Sequence, residues 1–210
     1  MPASNYKYTC VPSSIDPDKG ERFPVRFVLK PTNIAGTKPL FTIGLNPSTA
    51  YEKKLDQSVE NVEKFAAKYK DGWHFVMFNL CPHRTPKPKN LPKLLDDAEQ
   101  DIIDALQLDN IVAIKQEIDA FAAIEKPTIF ACWGKFDVCE QYFHKSLVLL
   151  RESIPEVNWV RINTKNKNLQ YPMHPSQQNM NLGRWEGDYE LVEWQPSDVE
   201  KYFARIKTLK

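Results

Sequence analysis

Leu40-Phe-Thr-Ile-Gly-Leu-Asn-Pro-Ser-Thr-Ala50 is the stretch on which the fold turns. Its first half, Leu40 to Leu45, is a compact apolar run between Pro39 and Pro47, the pattern of a strand buried on both faces. Its second half is polar: Pro47 restricts Asn46 to an extended backbone and suits a turn, and Ser48 and Thr49 supply hydroxyls for a cap. Three further apolar runs have the same form. His74 to Asn79 runs into Leu80-Cys-Pro-His-Arg-Thr-Pro86, Thr128 to Trp133 is closed by Gly134, and Val157 to Ile162 precedes the polar stretch Asn163 to Gln170.

Helical spacing fills the intervals. Val59, Val62, Phe65, Ala66 and Tyr69 share one face of a helix over Ser58 to Tyr69. The spacing predicts further helices over Leu94–Leu106, Ile111–Ile124, Phe136–Leu150 and Pro196–Ile206. Arg26–Lys30 and Glu190–Trp194 are expected as short edge strands, and residues 1–22 as an extended lead-in. Strands alternating with helices point to parallel pairing with helices on both faces. The expected fold is α/β: a three-layer α/β/α domain with a central four-stranded, mainly parallel sheet, spanning residues 1–210 as one unit. Right-handed crossovers then bring the strand C-termini to one edge, where open parallel sheets bind ligands.

Bulk properties narrow the function. The chain has 210 residues and a formal net charge of +1, so its overall field is weak. That argues against binding nucleic acid through bulk positive charge, without excluding a local basic groove. No apolar stretch approaches the roughly 18 residues of a membrane span, and the N-terminus lacks the apolar run of a signal peptide. Cys10, Cys81, Cys132 and Cys139 show no close-paired spacing, so free thiols, a cytoplasmic location, no metal cluster and no cofactor are the expectations. No G-x-G-x-x-G, Walker A or G-x-S-x-G pattern is present.

The candidate site lies in the loops after the strands. Gly44 permits close backbone approach, with Asn46, Pro47 and Ser48 beyond it. Asn79 ends its strand with a carboxamide, whose acceptor oxygen and two donor hydrogens match the edge of a nucleobase or amide. His83, Arg84, Lys87, Lys89 and Lys93 form a basic, proline-stiffened loop able to hold phosphates. A solvated loop balanced by the acidic residues Asp96, Asp97, Glu99, Asp101 and Asp104 is the plainer alternative. His174-Pro-Ser176 follows the fourth strand. A histidine there can donate to an oxyanion or move a proton near neutral pH.

Leu45-Asn-Pro-Ser-Thr-Ala50, Asn79-Leu-Cys-Pro82, Trp133-Gly134 and Pro172-Met-His-Pro175, in that order, resemble the family catalogued as domain of unknown function 1643, over roughly residues 25 to 180. Where that family has Asp-Asp-x-Thr, this chain has Leu55-Asp-Gln-Ser58.

The same order of motifs is similar, more distantly, to the uracil-DNA glycosylase superfamily. That resemblance implies a water-positioning role for Asn46 in Gly44-Leu-Asn-Pro47 and base reading by Asn79. It implies that His174 in His174-Pro-Ser176 bonds the base carbonyl. His83-Arg-Thr-Pro86 resembles the end of a motif in the iron–sulfur branch, whose cysteine set is absent here. Gln177-Gln-Asn179 stands where an apolar wedge is usual.

The expected function is therefore recognition of a flipped or free nucleobase. Asn46 and His174 would be catalytic, Gly44, Pro47, Ser48, Asn79 and Ser176 would bind substrate, and His83, Arg84, Lys87 and Lys89 would bind nucleic acid. Alternatives from other classes are a non-catalytic nucleic-acid or nucleotide binder and a hydrolase or transferase acting on a small nucleoside.

Overall fold

A computed structural model describes residues 7–11, 28–32, 34, 37–50, 55–70, 72–85, 87–96, 99–136, 138–163, 171–175 and 189–208. Ser176, most of the lead-in, most of the Asn163–Gln170 stretch and Gln177-Gln-Asn179 lie outside these residues.

The chain folds as a mixed α/β structure around one seven-stranded sheet, in the order β1-β2-β4-β3-β5-β6-β7. The strands are β1 (Tyr8–Val11), β2 (Val28–Pro31), β3 (Lys38–Gly44), β4 (Trp73–Asn79), β5 (Thr128–Ala131), β6 (Asn158–Ile162) and β7 (Leu191–Glu193). The four apolar runs are its centre. β3 pairs in parallel with both β4 and β5, and β5 with β6. Antiparallel strands extend both ends: β2 on β4, β1 on β2, and β7 on β6.

The sheet is therefore larger than the four strands expected. β2 is not an edge, because β1 pairs along it inside the segment read as an extended lead-in. A four-residue strand in a polar segment carries too little period-two signal to be seen without its partner.

Side chains alternate across the central strands, so each strand feeds two cores. Leu40, Phe75, Met77, Phe130 and Val160 pack with Val59, Val62, Phe65 and Ala66 of helix α1 (Gln57–Tyr69). Phe41, Ile43, Val76, Phe78 and Ile129 pack on the opposite face, among side chains of α3 (Gln100–Ala122), α4 (Glu140–Ser153) and α5 (Pro196–Thr208). Fully buried side chains of this size each contribute about 1.5–3 kcal/mol. Trp133 belongs to this second core. It is fully buried, and its indole N–H donates to the Tyr202 hydroxyl at 2.9 Å, tying the end of β5 to α5.

The expected pair of helices, Leu94–Leu106 and Ile111–Ile124, is replaced by a short α2 (Leu91–Asp96) and one 23-residue helix, α3. Gln107 and Asn110 stand in the gap between the two expected helices, but both are buried and both are satisfied as donors. Gln107 Nε2 donates to the Tyr142 carbonyl at 2.7 Å and to Ser146 Oγ at 2.6 Å. Asn110 Nδ2 donates to the Asn79 and Leu80 carbonyls at 2.9 and 3.2 Å. A helix with no Gly or Pro continues through such residues once tertiary partners exist.

Candidate functional site

The C-terminal ends of β4, β3 and β5 lie side by side, in that order. Neighbouring strands are about 4.8 Å apart, so the outer two ends are separated by roughly 10 Å. The loops leaving these ends carry most of the residues singled out by the sequence.

Gly44 and Asn79 face each other in the β3–β4 register. A Cβ on Gly44 would stand 2.8 Å from Asn79 Oδ1 and 2.6 Å from Met77 Cε, closer than side chains tolerate. The missing side chain at Gly44 is thus the space into which the Asn79 carboxamide folds. The backbone beneath it is pinned by Asn110, which bonds the Asn79 and Leu80 carbonyls from α3. Asn79 is 5% exposed, yet its carboxamide hydrogen-bonds to none of the described residues. The fully buried polar atoms without a partner among the described residues include Gln107 Oε1 and Trp159 Nε1; the Asn79 carboxamide is not one of them, so its donor and acceptor can be met by water or a ligand.

Asn46 has the opposite character. Its Nδ2 donates to the Pro47 carbonyl at 2.8 Å and to the Thr85 carbonyl at 2.9 Å, while Thr85 N donates back to the Pro47 carbonyl at 2.9 Å. Both amide hydrogens are spent, one within the loop after β3 and one latching it to the loop after β4. Only Oδ1 is left to face a ligand or a water, and only as an acceptor.

Arg84 strengthens the latch. Its Nε donates to the Ser48 carbonyl at 2.6 Å and its Nη2 to the Ala50 carbonyl at 3.1 Å. The guanidinium of this half-buried residue therefore organises the first loop from within. Pro47 is buried and Ser48 half-buried between these attachments. His83 is also buried, and loss of hydration lowers its pKa below the ordinary histidine value. Of the basic loop, Lys87 and Lys89 are the exposed cations, with Lys93 exposed beyond them in α2.

His174 comes to the same edge from the far end of the chain. Gly134, directly after Trp133, has φ +78°, and a Cβ there would stand 2.9 Å from His174 Cβ. The glycine answers two needs at once: a left-handed backbone and room for the histidine. Asn61 of α1 is buried and donates from Nδ2 to the Pro175 carbonyl at 2.7 Å, and Gln57 Nε2 donates to Asn61 Oδ1 at 3.1 Å. The first turns of α1 thus hold the histidine's loop. Burial pushes the His174 pKa down to about 4, against an opposing attraction from Asp56. Near neutral pH the imidazole is uncharged, offering one N–H donor and one nitrogen acceptor.

The edge thus gathers Gly44, Asn46, Pro47, Ser48, Asn79 and His174. Arg84 and His83 lie within the fabric of the loops rather than as free surface cations. Asp56, Asn61 and Asn110 escaped the sequence reading. Their visible signal was only polarity at or beside core-facing helical positions. No helix among the described residues is long and apolar enough to cross a membrane. No cluster of three or more His, Cys, Asp or Glu that could hold a metal ion occurs among them. Cys81 and Cys132 are buried free thiols, and Cys139 is a half-buried one.

Residues 26–176 match the family described as "Protein of unknown function (DUF1643)". No curated protein matches the chain, and no solved structure does.

Proposed function

The chain belongs to the DUF1643 family, and from that premise we propose that it recognises a nucleobase, flipped from DNA or free, and releases damaged or modified bases in the manner of a uracil-DNA glycosylase. The observation that carries this reading is the buried Asn79 carboxamide, bonded to none of the described residues and seated over Gly44 at the sheet's ligand edge. A carboxamide reads a base edge with a donor and an acceptor together. Asn46 Oδ1 would hold the attacking water. His174 would donate toward the negative charge that develops on the leaving base, an electrostatic role that can be worth about 3 kcal/mol. Lys87 and Lys89 would meet phosphates beside the site. Extruding a base costs a few kcal/mol, least for a damaged or mispaired one, and this would favour lesions.

The test is a panel of oligonucleotides carrying uracil, mismatches and modified bases, scored for binding and base release. Release that disappears in His174→Ala supports the proposal. Absence of both binding and release across the panel overturns it.

A second reading, a binder of nucleic acid or nucleotides without chemistry, is favoured by one observation. Asn46 is committed to two backbone carbonyls, and a carboxamide is no general base, so position 46 has no group to take a proton from water. Binding without base release would select it.

A further inference from the structure

We propose that Asn61 is a positioning residue for His174: a buried carboxamide of helix α1 that fixes the main chain beside the histidine and so sets where its imidazole stands. The inference rests on the base-release reading above and deepens it.

Asn61 is buried in α1 together with Val59, Val62, Phe65 and Ala66, and is 1% exposed. An amide in such a place is costly unless its donors and acceptor are met. Its partners define its orientation. The Pro175 carbonyl can only accept, so the atom 2.7 Å from it is the donor Nδ2. Oδ1 is then turned toward the helix start, where the exposed Gln57 donates to it at 3.1 Å. The carboxamide is thus held at both ends, and its bond to Pro175 spans 114 residues of sequence.

The histidine's own segment leaves little else to vary. Pro175 restricts His174 to an extended backbone, and its ring fixes the next φ. Met173 packs against the core that holds the buried side chains of α1. Residues 173 and 175 are therefore both fastened to the α1 layer, and in an extended chain the residue between them faces the other way. There His174 meets the end of β5, where a Cβ on Gly134 would stand 2.9 Å from His174 Cβ. The imidazole keeps only its side-chain rotations. Without the Asn61 donor the Pro175 carbonyl loses this anchor, and the histidine is free to drift off Gly134. A displacement of about 1 Å can cost about a hundredfold in rate. Asn61 itself touches no reacting atom.

The experiment uses the full chain with Asn61→Ala and Asn61→Leu. Alanine suits the helix, leucine keeps the volume, and neither can donate. In the ligand-free protein, the NMR signals of the His174 ring are expected to shift or broaden, while those of His74, His83 and His144 stay in place. On saturating oligonucleotide, single-turnover base release is expected to fall tenfold or more, while the preference among bases, which Asn79 sets, is retained. Unmoved His174 signals in a folded variant overturn the proposal, as does a base preference lost along with release. Collapse of the fold in both variants also overturns it, because the bond would then be a structural requirement. The spectra need no substrate. Altered His174 signals without base release by the native chain would refute the base-release reading and leave the Asn61–His174 coupling standing.

Discussion

Asn46 Nδ2 donates to the Thr85 carbonyl at 2.9 Å, joining the loop after β3 to the loop after β4 across 39 residues of sequence. With the bond to the Pro47 carbonyl, it makes position 46 a donor position. An aspartate there would turn two carboxylate–carbonyl approaches repulsive and lose both bonds. Asn46→Asp is therefore expected to lower stability by about 2–4 kcal/mol, a few net hydrogen bonds plus unmatched acceptors, and not to raise base release. Urea unfolding and the oligonucleotide assay check the two halves. A stable, more active Asn46→Asp variant would contradict this account of the loop.

The Gly134–His174 contact gives a second expectation. Alanine at 134 meets a positive φ and a Cβ 2.9 Å from His174 Cβ. Gly134→Ala is expected to cost about 1–3 kcal/mol and to displace the imidazole. Ligand affinity then falls further than stability alone explains. Thermal unfolding and binding measured on the same preparation separate these effects.

Stability should also depend on pH in a stated direction. Burial lowers the pKa of His74 and His174 to about 4 and lowers that of His83. Each is more readily protonated in the unfolded chain, which therefore binds more protons between the two pKa values. Folded stability is full above the unfolded value of 6.5 and declines as pH falls from there toward 4. At about 1.4 kcal/mol per unit, each of the two shifts to about 4 is worth at most about 3.4 kcal/mol. Denaturant midpoints at pH 7.5, 6 and 5 test the sign; a flat profile would contradict the buried, neutral state of these imidazoles.

Lys87 and Lys89 are exposed beside the site. If they meet phosphates, Lys87→Ala/Lys89→Ala will weaken DNA binding about equally for all sequences. It will also reduce the slope of log K against log salt by about 1–2. The same loss for Arg84→Ala would have a different origin, since that side chain braces the Ser48 and Ala50 carbonyls. Arg84→Ala is therefore expected to lower stability as well.

What the sequence disclosed, and what it hid, follows from the range of the interactions involved. The parallel centre was legible because buried strands are continuous apolar runs, as in Leu40 to Leu45. α1 was legible because Val59, Val62, Phe65 and Ala66 keep helical phase. β1 was not, because a short strand in a polar segment is defined by its pairing with β2. α3 was misread because Gln107 and Asn110, in the gap between the two expected helices, find their partners only in Tyr142, Ser146 and the end of β4. The loops at the sheet edge could be placed from the strand pattern. The roles of their side chains could not, since the bonds that set them span 34 residues for Arg84 to Ala50 and 114 for Asn61 to Pro175.

The central claim concerns Asn79: a carboxamide held over Gly44, without a bond to any described residue, to read a base. The most direct measurement is affinity and base release for the oligonucleotide panel with the native chain, Asn79→Ala and His174→Ala. Asn79→Ala deletes no bond that the folded chain makes among its described residues, so its stability should stay within about 1 kcal/mol of native. The account predicts that native protein discriminates among bases, that Asn79→Ala abolishes this discrimination at nearly native stability, and that His174→Ala abolishes release. Unaltered base preference in a folded Asn79→Ala variant would contradict it.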